Sequence, residues 1–344
     1  MTNLLIKWYE SNKRDLPWRK TLNPYCIWVS EIILQQTQIA TGIQYYQKFL
    51  NKFPDISTLA NAKEEDVLKI WQGLGYYNRA INMLYTAKII HKNYNNKFPE
   101  EYAELIKLRG IGEYTAAAIS SICYDEKKAV VDGNVYRVLT RYYNIDTPIN
   151  TSIGKKIIQN IAEKLLPQSS IGEYNQAIMD FGSIHCKKNN PKCNICPLKS
   201  DCKSNILGNV MQRPVKKLKK NITTRYFNYL FINQNNYFII QQRKTKDIWS
   251  KLYELPLIET NEEITLNQLK SNIILKRLEI LHVNYQYQVK HLLSHQKLII
   301  SFWNIQIDNM PVEKKMKKIL IQDINKYPFP KPLEKYFDKE HVII

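Results

Sequence analysis

The sequence contains no long apolar run. Nothing in its 344 residues approaches the roughly 20 consecutive apolar residues that a membrane-spanning helix needs. The apolar run at the start, residues 1–6, is too short for a signal peptide, and charged Lys7 follows it at once. We also find no internal repeat. These absences predict a soluble protein in the reducing cytoplasm.

Acidic residues are scarce beside basic ones. The chain has 31 Asp and Glu against 50 Lys and Arg, a formal net charge of +19. A surplus of this size suggests a polyanionic partner, because Lys and Arg gain free energy by displacing counterions from phosphates. The chain is also rich in Lys, Asn, Ile and Tyr, which AT-rich coding favours, so the charge supports this partner without deciding it. The length predicts two domains.

Cysteines are few, and four of the six are clustered with the spacing Cys-x6-Cys-x2-Cys-x5-Cys. In a reducing setting such a cluster indicates a metal site rather than disulfides. Four thiolates in one loop suit a 4Fe–4S cluster, and a structural zinc ion also fits the spacing. We expect a structural role that holds nearby lysines towards phosphates. The predicted ligands are Cys186, Cys193, Cys196 and Cys202, and the lysines are Lys187, Lys188, Lys192 and Lys199.

The remaining cysteines, Cys26 and Cys123, lie in apolar surroundings. We expect both to be small buried core residues.

The apolar pattern changes along the chain. Residues 1–208 have helical periodicity, notably in 62–73, 78–93, 100–108, 113–123 and 151–165. A basic stretch at 209–224 indicates a linker. From residue 225 the pattern favours strands, including a hairpin at 226–240 and runs at 279–289 and 297–307, with helices at 262–272 and 316–324. The sequence therefore predicts an all-α domain at 1–208 and an α+β domain at 225–344.

A glycine pair at Gly110 and Gly112 separates two helical stretches. Glycines with this spacing allow a tight turn, and the N–H groups that open the next helix can hold a phosphate. A simple turn without a ligand also fits the pattern. The apolar helix and the Asp-Gly-Asn turn that follow make the pattern more specific.

Two carboxylates have settings that suit acid catalysis. Glu31 is the only acidic residue in the apolar run 26–34, and Asp132 ends the apolar run 129–131. Breaking an N-glycosidic bond calls for one protonated acid and one carboxylate that stabilises the sugar cation, and an apolar setting keeps the acid protonated. The alternatives are a solvated helix face for Glu31 and a helix N-cap for Asp132. Only the fold can bring the two together.

With these pieces assembled, the chain resembles the MutY family of adenine DNA glycosylases, in the helix-hairpin-helix superfamily. The resemblance runs nearly end to end and is strongest over residues 15–202. It rests on segments in family order, namely Leu16–Arg19, Trp28–Gln38, Trp71–Tyr77, Leu108–Gly112, Val131–Val135, Asn175–Gly182 and the four clustered cysteines.

The resemblance implies the roles of four catalytic residues. Glu31 protonates N7 of adenine and then activates water. Asp132 stabilises the anomeric carbon, and Tyr114 and Asn134 orient the sugar and Asp132. The related endonuclease III enzymes carry a lysine where Tyr114 stands, and that amine makes them lyases. Because tyrosine cannot form a Schiff base, we predict a monofunctional glycosylase.

The resemblance also implies which residues contact DNA. Arg19 and Gln176, together with Trp18, line the adenine pocket. Gln36 and Tyr76 insert into the duplex beside the flipped base. The expected partner is double-stranded DNA with an A:8-oxoguanine or A:G mispair, bound by a monomer. The rivals are an oxidised-pyrimidine glycosylase with lyase activity and a non-catalytic DNA-binding iron–sulfur protein.

The C-terminal half resembles the family's Nudix-like domain, which recognises 8-oxoguanine. Segments 249–256 and 291–295 carry this weaker match, and Ser294 and His295 are the predicted contacts. Leu293 stands where the family commonly has Phe, and Arg109 stands where the hairpin usually has Pro. The Arg-Glu-x-x-Glu-Glu metal box of Nudix hydrolases is absent from the sequence, so we do not expect nucleotide hydrolysis.

Overall fold

The structure is a computed structural model that describes residues 1–217, 223–243, 247–272, 275, 278–293, 295–310 and 316–339. These residues fall into two units. One contains the described parts of Met1–Ala62 and Asn82–Lys219, and the other those of Lys63–Ile81 and Lys220–Ile344. Among the described residues, no helix is long and apolar enough to cross a membrane.

Helices dominate the N-terminal part of the chain. Each of the five segments predicted to be helical there contains a helix, although 100–108 holds only the single turn α7. The helices of the described residues are α1 (Thr2–Asn12), α2 (Pro24–Leu34), α3 (Ile39–Lys52), α4 (Ile56–Ala60), α5 (Glu64–Trp71), α6 (Asn78–Asn93), α7 (Tyr102–Leu105), α8 (Glu113–Tyr124), α9 (Gly133–Tyr143), α10 (Ser152–Lys164), α11 (Ile171–Asp180), α12 (Lys203–Ile206), α13 (Leu266–Lys270) and α14 (Lys331–Lys339).

Helix α2 is the central element of the helical unit. The side chain of Asn23 caps it by accepting a hydrogen bond from the N–H of Tyr25, and Pro24 occupies its first turn. Apolar residues lie on all sides of the helix, and every residue from Ile27 to Ile33 is buried. A helix that is apolar all round is a core helix.

The C-terminal unit is built on one mixed sheet. Within the described residues its central order is β3-β2-β1-β6-β5, with β4 beside β1 and β7 beside β2. Strands β1 and β6 are parallel, and the other pairs are antiparallel. The strands are β1 (Thr223–Gln234), β2 (Tyr237–Gln242), β3 (Tyr253–Glu254), β4 (Leu257–Thr260), β5 (Ile280–Leu292), β6 (Gln296–Ile307) and β7 (Met316–Leu320).

Both faces of this sheet are covered. Side chains of β1 alternate, so that Tyr229 belongs to one apolar cluster and Leu230 to another. Helix α14 covers the first face, where the Tyr336 ring stacks on Phe302 with 4.4 Å between centroids. Leu269 of α13 belongs to the second cluster. Burial on both faces explains why β1 is a nearly continuous apolar run.

Two expectations from the sequence need correction, and one helix was missed. Segment 316–324 is not a helix, because Met316–Leu320 pairs with β2 as a strand and a 3₁₀ turn follows at Ile321–Lys326. Short apolar segments do not distinguish strand from helix by period alone. Helix α14 was not predicted. Cys26 and Cys123 are half-buried rather than fully buried.

The predicted linker at 209–224 lies partly outside the described residues. Its first part is held by the helical unit. The side-chain amide of Asn150 donates to the carbonyl of Lys217 and accepts from its N–H, both at 2.8 Å. The domain boundaries drawn from the sequence stay a prediction.

We predict that the buried ion pair between Arg243 and Glu254 stabilises the sheet unit. Arg243 Nη1 lies 2.7 Å from Glu254 Oε2, both side chains are buried, and the Tyr229 hydroxyl donates to the same oxygen at 3.0 Å. Arg243→Met should lower the free energy of unfolding by about 3–5 kcal/mol, because it leaves a buried carboxylate uncompensated. Lys326→Met, which removes a surface pair with Asp323, should leave the free energy of unfolding nearly unchanged. Chemical denaturation of the full chain measures both, and equal losses would contradict the prediction.

Candidate active site

Glu31 lies in the interior of helix α2 and is only 7% exposed. The alternative of a solvated helix face is therefore wrong. Burial raises the pKa of Glu31 to about 7, and the charge of Asp132 acts in the same direction, whereas the Tyr114 hydrogen bond and the Arg19 charge oppose the rise. A carboxyl group with this pKa can hold a proton near neutral pH and release it.

Tyr114 lies beside Glu31. Its hydroxyl donates a hydrogen bond to Glu31 Oε2 at 2.7 Å and lies 3.7 Å from the Met179 sulfur. Burial, together with the charge of Glu31, raises the pKa of Tyr114 well above its ordinary value. The side chain therefore stays a neutral phenol that fixes the orientation of the carboxyl group.

Asp132 caps helix α9. Its Oδ1 accepts hydrogen bonds from the N–H groups of Asn134 and Val135, both at 2.8 Å, so the N-cap alternative is confirmed. The side-chain amide of Asn134 donates to Oδ2 at 2.6 Å. Burial raises the pKa of Asp132 above its ordinary value, and these donors oppose that rise. The cap holds the carboxylate rigidly, and the charges of Asp132 and Glu31 act on each other.

Asn134 is itself held by Arg137. The guanidinium donates to Asn134 Oδ1 at 2.8 Å, to the carbonyl of Gly182 at 2.5 Å and to that of Cys186 at 2.8 Å. With its oxygen occupied, the Asn134 amide can turn only its NH₂ group towards Asp132. Arg137 thus connects the cysteine loop to the capping carboxylate.

A cavity of about 460 Å³ lies in the same unit, and its lining includes Tyr9, Arg19 and Gln176. This volume is in the range of small-molecule pockets. The hydroxyl of Tyr9 donates to Gln176 Oε1 at 3.0 Å, and the Arg19 guanidinium lies 5.5 Å from the centre of the Tyr9 ring. The structure thus brings Arg19 and Gln176 together. Trp18 does not line this cavity; it is buried with its ring edge against Tyr46.

Comparisons with known proteins decide the family. The profile described as "HhH-GPD superfamily base excision DNA repair protein" matches residues 29–168, and that of the "NUDIX domain" matches residues 228–339. The chain is 40% identical over 342 residues to the adenine DNA glycosylase of Buchnera aphidicola subsp. Baizongia pistaciae, and the match covers 97% of this chain and 95% of that one. This chain belongs to the adenine DNA glycosylase family.

The adenine DNA glycosylase of Rattus norvegicus is 39% identical over 209 residues, which are 58% of this chain and 40% of that one. Among solved structures, a thermostable thymine-DNA glycosylase matches 60% of this chain and 95% of its own, with a TM-score of 0.56 and 28% identity. An endonuclease III–DNA complex shares the fold at a TM-score of 0.52 and 21% identity, over 60% of this chain and 94% of its own. The predicted fold class, a helix-hairpin-helix domain followed by a Nudix-like domain, is confirmed.

The hairpin of this adenine DNA glycosylase family member is a tight turn. Gly110 has a φ of +81°, and a Cβ there would lie 2.7 Å from the Cβ of Asn82, so only glycine fits. Gly112 is the N-cap residue of helix α8, and a Cβ there would meet nothing within 4 Å. Thr86 donates to the carbonyl of Arg109 at 2.6 Å, and the Arg109 guanidinium lies over the ring of Tyr85. Phosphate binding by this turn stays a prediction.

Gln36 and Tyr76, the two residues predicted to enter the duplex, belong to different units. Both have a left-handed backbone, with φ of +60° and +49° respectively. Such conformations are uncommon for residues other than glycine and are frequent at functional sites. The Tyr76 side chain is 49% exposed.

His295, one of the two predicted 8-oxoguanine contacts, directly precedes β6. His295 is exposed beside Gln296, with 2.9 Å between their Nε2 atoms. Leu293 is partly buried against the apolar cluster under α14. Ser294 lies outside the described residues.

The four clustered cysteines are free and line one cavity. Apolar walls from Val138, Phe181 and Leu198 complete it. Among the side chains that the structure describes, no three His, Cys, Asp or Glu residues converge on a position for one metal ion. The four lysines around the cysteines are exposed.

The buried guanidinium of Arg141 holds the cysteine loop. It donates to the carbonyls of Lys187 and Lys188, at 2.7 and 3.2 Å, and lies 3.4 Å from the sulfur of Cys186. A buried cation at this position suits an anionic group held by thiolates.

Sequence reasoning missed several residues of this site. Tyr9, Arg14, Arg137 and Asp180 all contact predicted site residues or each other. Asp180 lies within the segment 175–182 that carries the family resemblance, and it is one of few charged residues in an apolar stretch. An acidic residue in an apolar stretch was the signal that could have identified Asp180, as it identified Glu31.

We predict that Gly182 is required for the position of Asn134. A Cβ at Gly182 would lie 2.7 Å from the Asn134 Cβ and 2.9 Å from its carbonyl oxygen, so Gly182→Ala should lower the free energy of unfolding by about 1–3 kcal/mol. Gly133→Ala is the control, because nothing lies within 4 Å of a Cβ there. Chemical denaturation measures both variants. A neutral Gly182→Ala variant would show that the helix can move aside.

Proposed function

We propose that this chain hydrolyses the N-glycosidic bond of adenine mispaired with 8-oxoguanine or guanine in duplex DNA, without lyase activity. The observation that carries the proposal is the buried Glu31, which has a pKa of about 7, is hydrogen-bonded to Tyr114 and is coupled electrostatically to Asp132. Relatives named adenine DNA glycosylase in bacteria and eukaryotes support it.

The two carboxyl groups can divide the chemistry. Protonated Glu31 gives its proton to N7 of the flipped adenine, and the C–N bond breaks with its electron pair moving to the base. The Asp132 carboxylate stabilises the positive charge that develops on the sugar. Glu31, now ionised, takes a proton from the water that adds to the anomeric carbon. Each group returns to its starting state.

The neighbours of these groups favour this reading over the rivals. Tyr114 supplies a hydroxyl and no amine, so the side chain beside Glu31 cannot form a Schiff base with the sugar. This weighs against an oxidised-pyrimidine glycosylase with lyase activity. A non-catalytic DNA-binding protein has no need to keep one carboxyl group buried with a second, partly buried one acting on it, which is costly.

The net charge of the chain and the turn at Gly110–Gly112 both support DNA binding. The net charge of +19 favours a polyanion. We assign the phosphate backbone to the Gly110–Gly112 turn and the exposed lysines of the cysteine loop, and the space left by the flipped base to Gln36 and Tyr76. His295, with Ser294, is assigned to the oxidised guanine.

We predict that adenine release depends on the Glu31 proton. Glu31→Gln should reduce single-turnover release from an A:8-oxoguanine duplex by about 10²–10⁴-fold while duplex binding is kept, whereas Glu10→Gln on the surface of α1 should match the parent chain. The parent rate should fall as pH rises through about 7, because only the protonated acid can donate. Glu31→Gln that cleaves like the parent would refute the assignment.

We also propose that the four cysteines hold a 4Fe–4S cluster with a structural role. The shared cavity, its apolar walls and the Arg141 cation fit such a group. When bound, the cluster would cross-link the loop that Arg137 and Arg141 hold.

We predict that purified protein contains iron and absorbs visible light. Cys196→Ser should lose both the iron and the absorption and bind duplex more weakly, because the loop and its lysines lose their cross-link. Cys26→Ser, outside the cluster, should keep the iron. A colourless parent protein with stoichiometric zinc would refute the cluster.

A further inference from the structure

Asp180, the last residue of α11, holds two arginines. Its carboxylate is fully buried and accepts hydrogen bonds from Arg19 Nη1 at 2.5 Å and Nη2 at 2.7 Å. Arg14 donates to the same carboxylate from Nε at 2.8 Å and from Nη2. Burial would raise the pKa of Asp180, but the bonds from Arg19 and Arg14 outweigh it and hold that pKa below its ordinary value. The carboxylate therefore stays ionised and has no other charge partner among the described residues than these two cations.

Arg19 interacts both with this carboxylate, by hydrogen bonds, and with the proposed catalytic acid, through its charge. The Arg19 side chain is 12% exposed and lines the same cavity as Gln176. Its charge also acts on Glu31. We propose that Asp180 is a positioning residue for base excision, since its carboxylate fixes Arg19 in the pocket wall and offsets the charge that Arg19 presents to Glu31. This inference rests on the proposed roles of Glu31 and Arg19.

The groups that interact with Glu31 come from three further elements. Tyr114 and Cys123 lie on α8, Asp132 caps α9, and Arg19 ends the 3₁₀ turn Pro17–Arg19. Asp132 favours the protonated form of Glu31, whereas Arg19 favours the ionised form. Arg19 is the only cation in this set. A change in the net charge around Arg19 therefore shifts the pKa of Glu31 in a predictable direction.

The sign of the effect separates positioning from a merely structural role. Without the Asp180 charge, Arg19 acts more strongly on Glu31, lowers its pKa, and leaves less protonated acid at neutral pH. Without Arg14, Asp180 neutralises Arg19 more completely, and the pKa of Glu31 rises. A structural role alone would lower the rate or the stability without moving the alkaline limb of the pH profile.

The test is the pH dependence of single-turnover adenine release with three variants of the full chain. Asp180→Asn should move the alkaline limb to lower pH by a few tenths of a unit, a loss of about twofold in rate above the limb. Arg14→Gln should move it to higher pH. Arg14→Gln with Asp180→Asn, which keeps the net charge, should return the limb towards the parent position.

Thermal unfolding of each variant controls for folding. If Asp180→Asn does not fold, the opposite shift in Arg14→Gln and the near-parent limb of the double variant still test the inference. The inference is overturned if Arg14→Gln and those Asp180 variants that fold release adenine more slowly while the alkaline limb of the pH profile stays at the parent position. If Glu31→Gln abolishes release while those limbs do not move, this inference alone fails. If Glu31→Gln cleaves like the parent, the proposed function fails with it.

Discussion

Burial of one carboxyl group on a core helix is the constraint around which the helical unit is arranged. A carboxylate is costly to bury unless it is hydrogen-bonded or protonated. Within the described part of the chain, Tyr114 on a neighbouring helix is the side chain that donates to the Glu31 carboxyl group, and the pKa of Glu31 is raised to about 7 rather than lowered. Burial disfavours the ionised form of Glu31, and for that reason the carboxyl group can keep a proton at neutral pH.

Two of the groups around Glu31 lie at the N-terminal ends of helices, Tyr114 in the first turn of α8 and Asp132 at the N-cap of α9. Asp132 is held by the open N–H groups of α9, and Tyr114 is placed by the turn at Gly110. Arg137 fixes the amide of Asn134 and reaches the carbonyl of Cys186. Each of these side chains is therefore braced by a second residue. This bracing limits how far it can move when a base enters.

Local signals in the sequence predicted much of this arrangement. The sequence indicates Glu31 because it is the lone acid in an apolar run, and Asp132 because it ends an apolar run directly before Gly133-Asn134. The strand at Met316–Leu320 was mistaken for helix because its pairing with β2 is not encoded locally. Arg14 and Asp180 lie 166 positions apart, so no spacing rule could join them. Contacts of that kind depend on the packing of α11 against the N-terminal segment.

The sheet unit has a different constraint. Apolar clusters cover both faces of the central strands β1 and β6, whereas β5, at the end of the described strand order, keeps exposed side chains. Strand β5 is an edge, and it turns back into β6 beside Leu293 and His295. Leu293 packs inward on the apolar cluster while His295 is exposed. A base that docked beside Leu293 would therefore meet an aliphatic side chain at that position, where a phenylalanine would offer a ring. Recognition there would rest on the polar edge of the base more than on stacking.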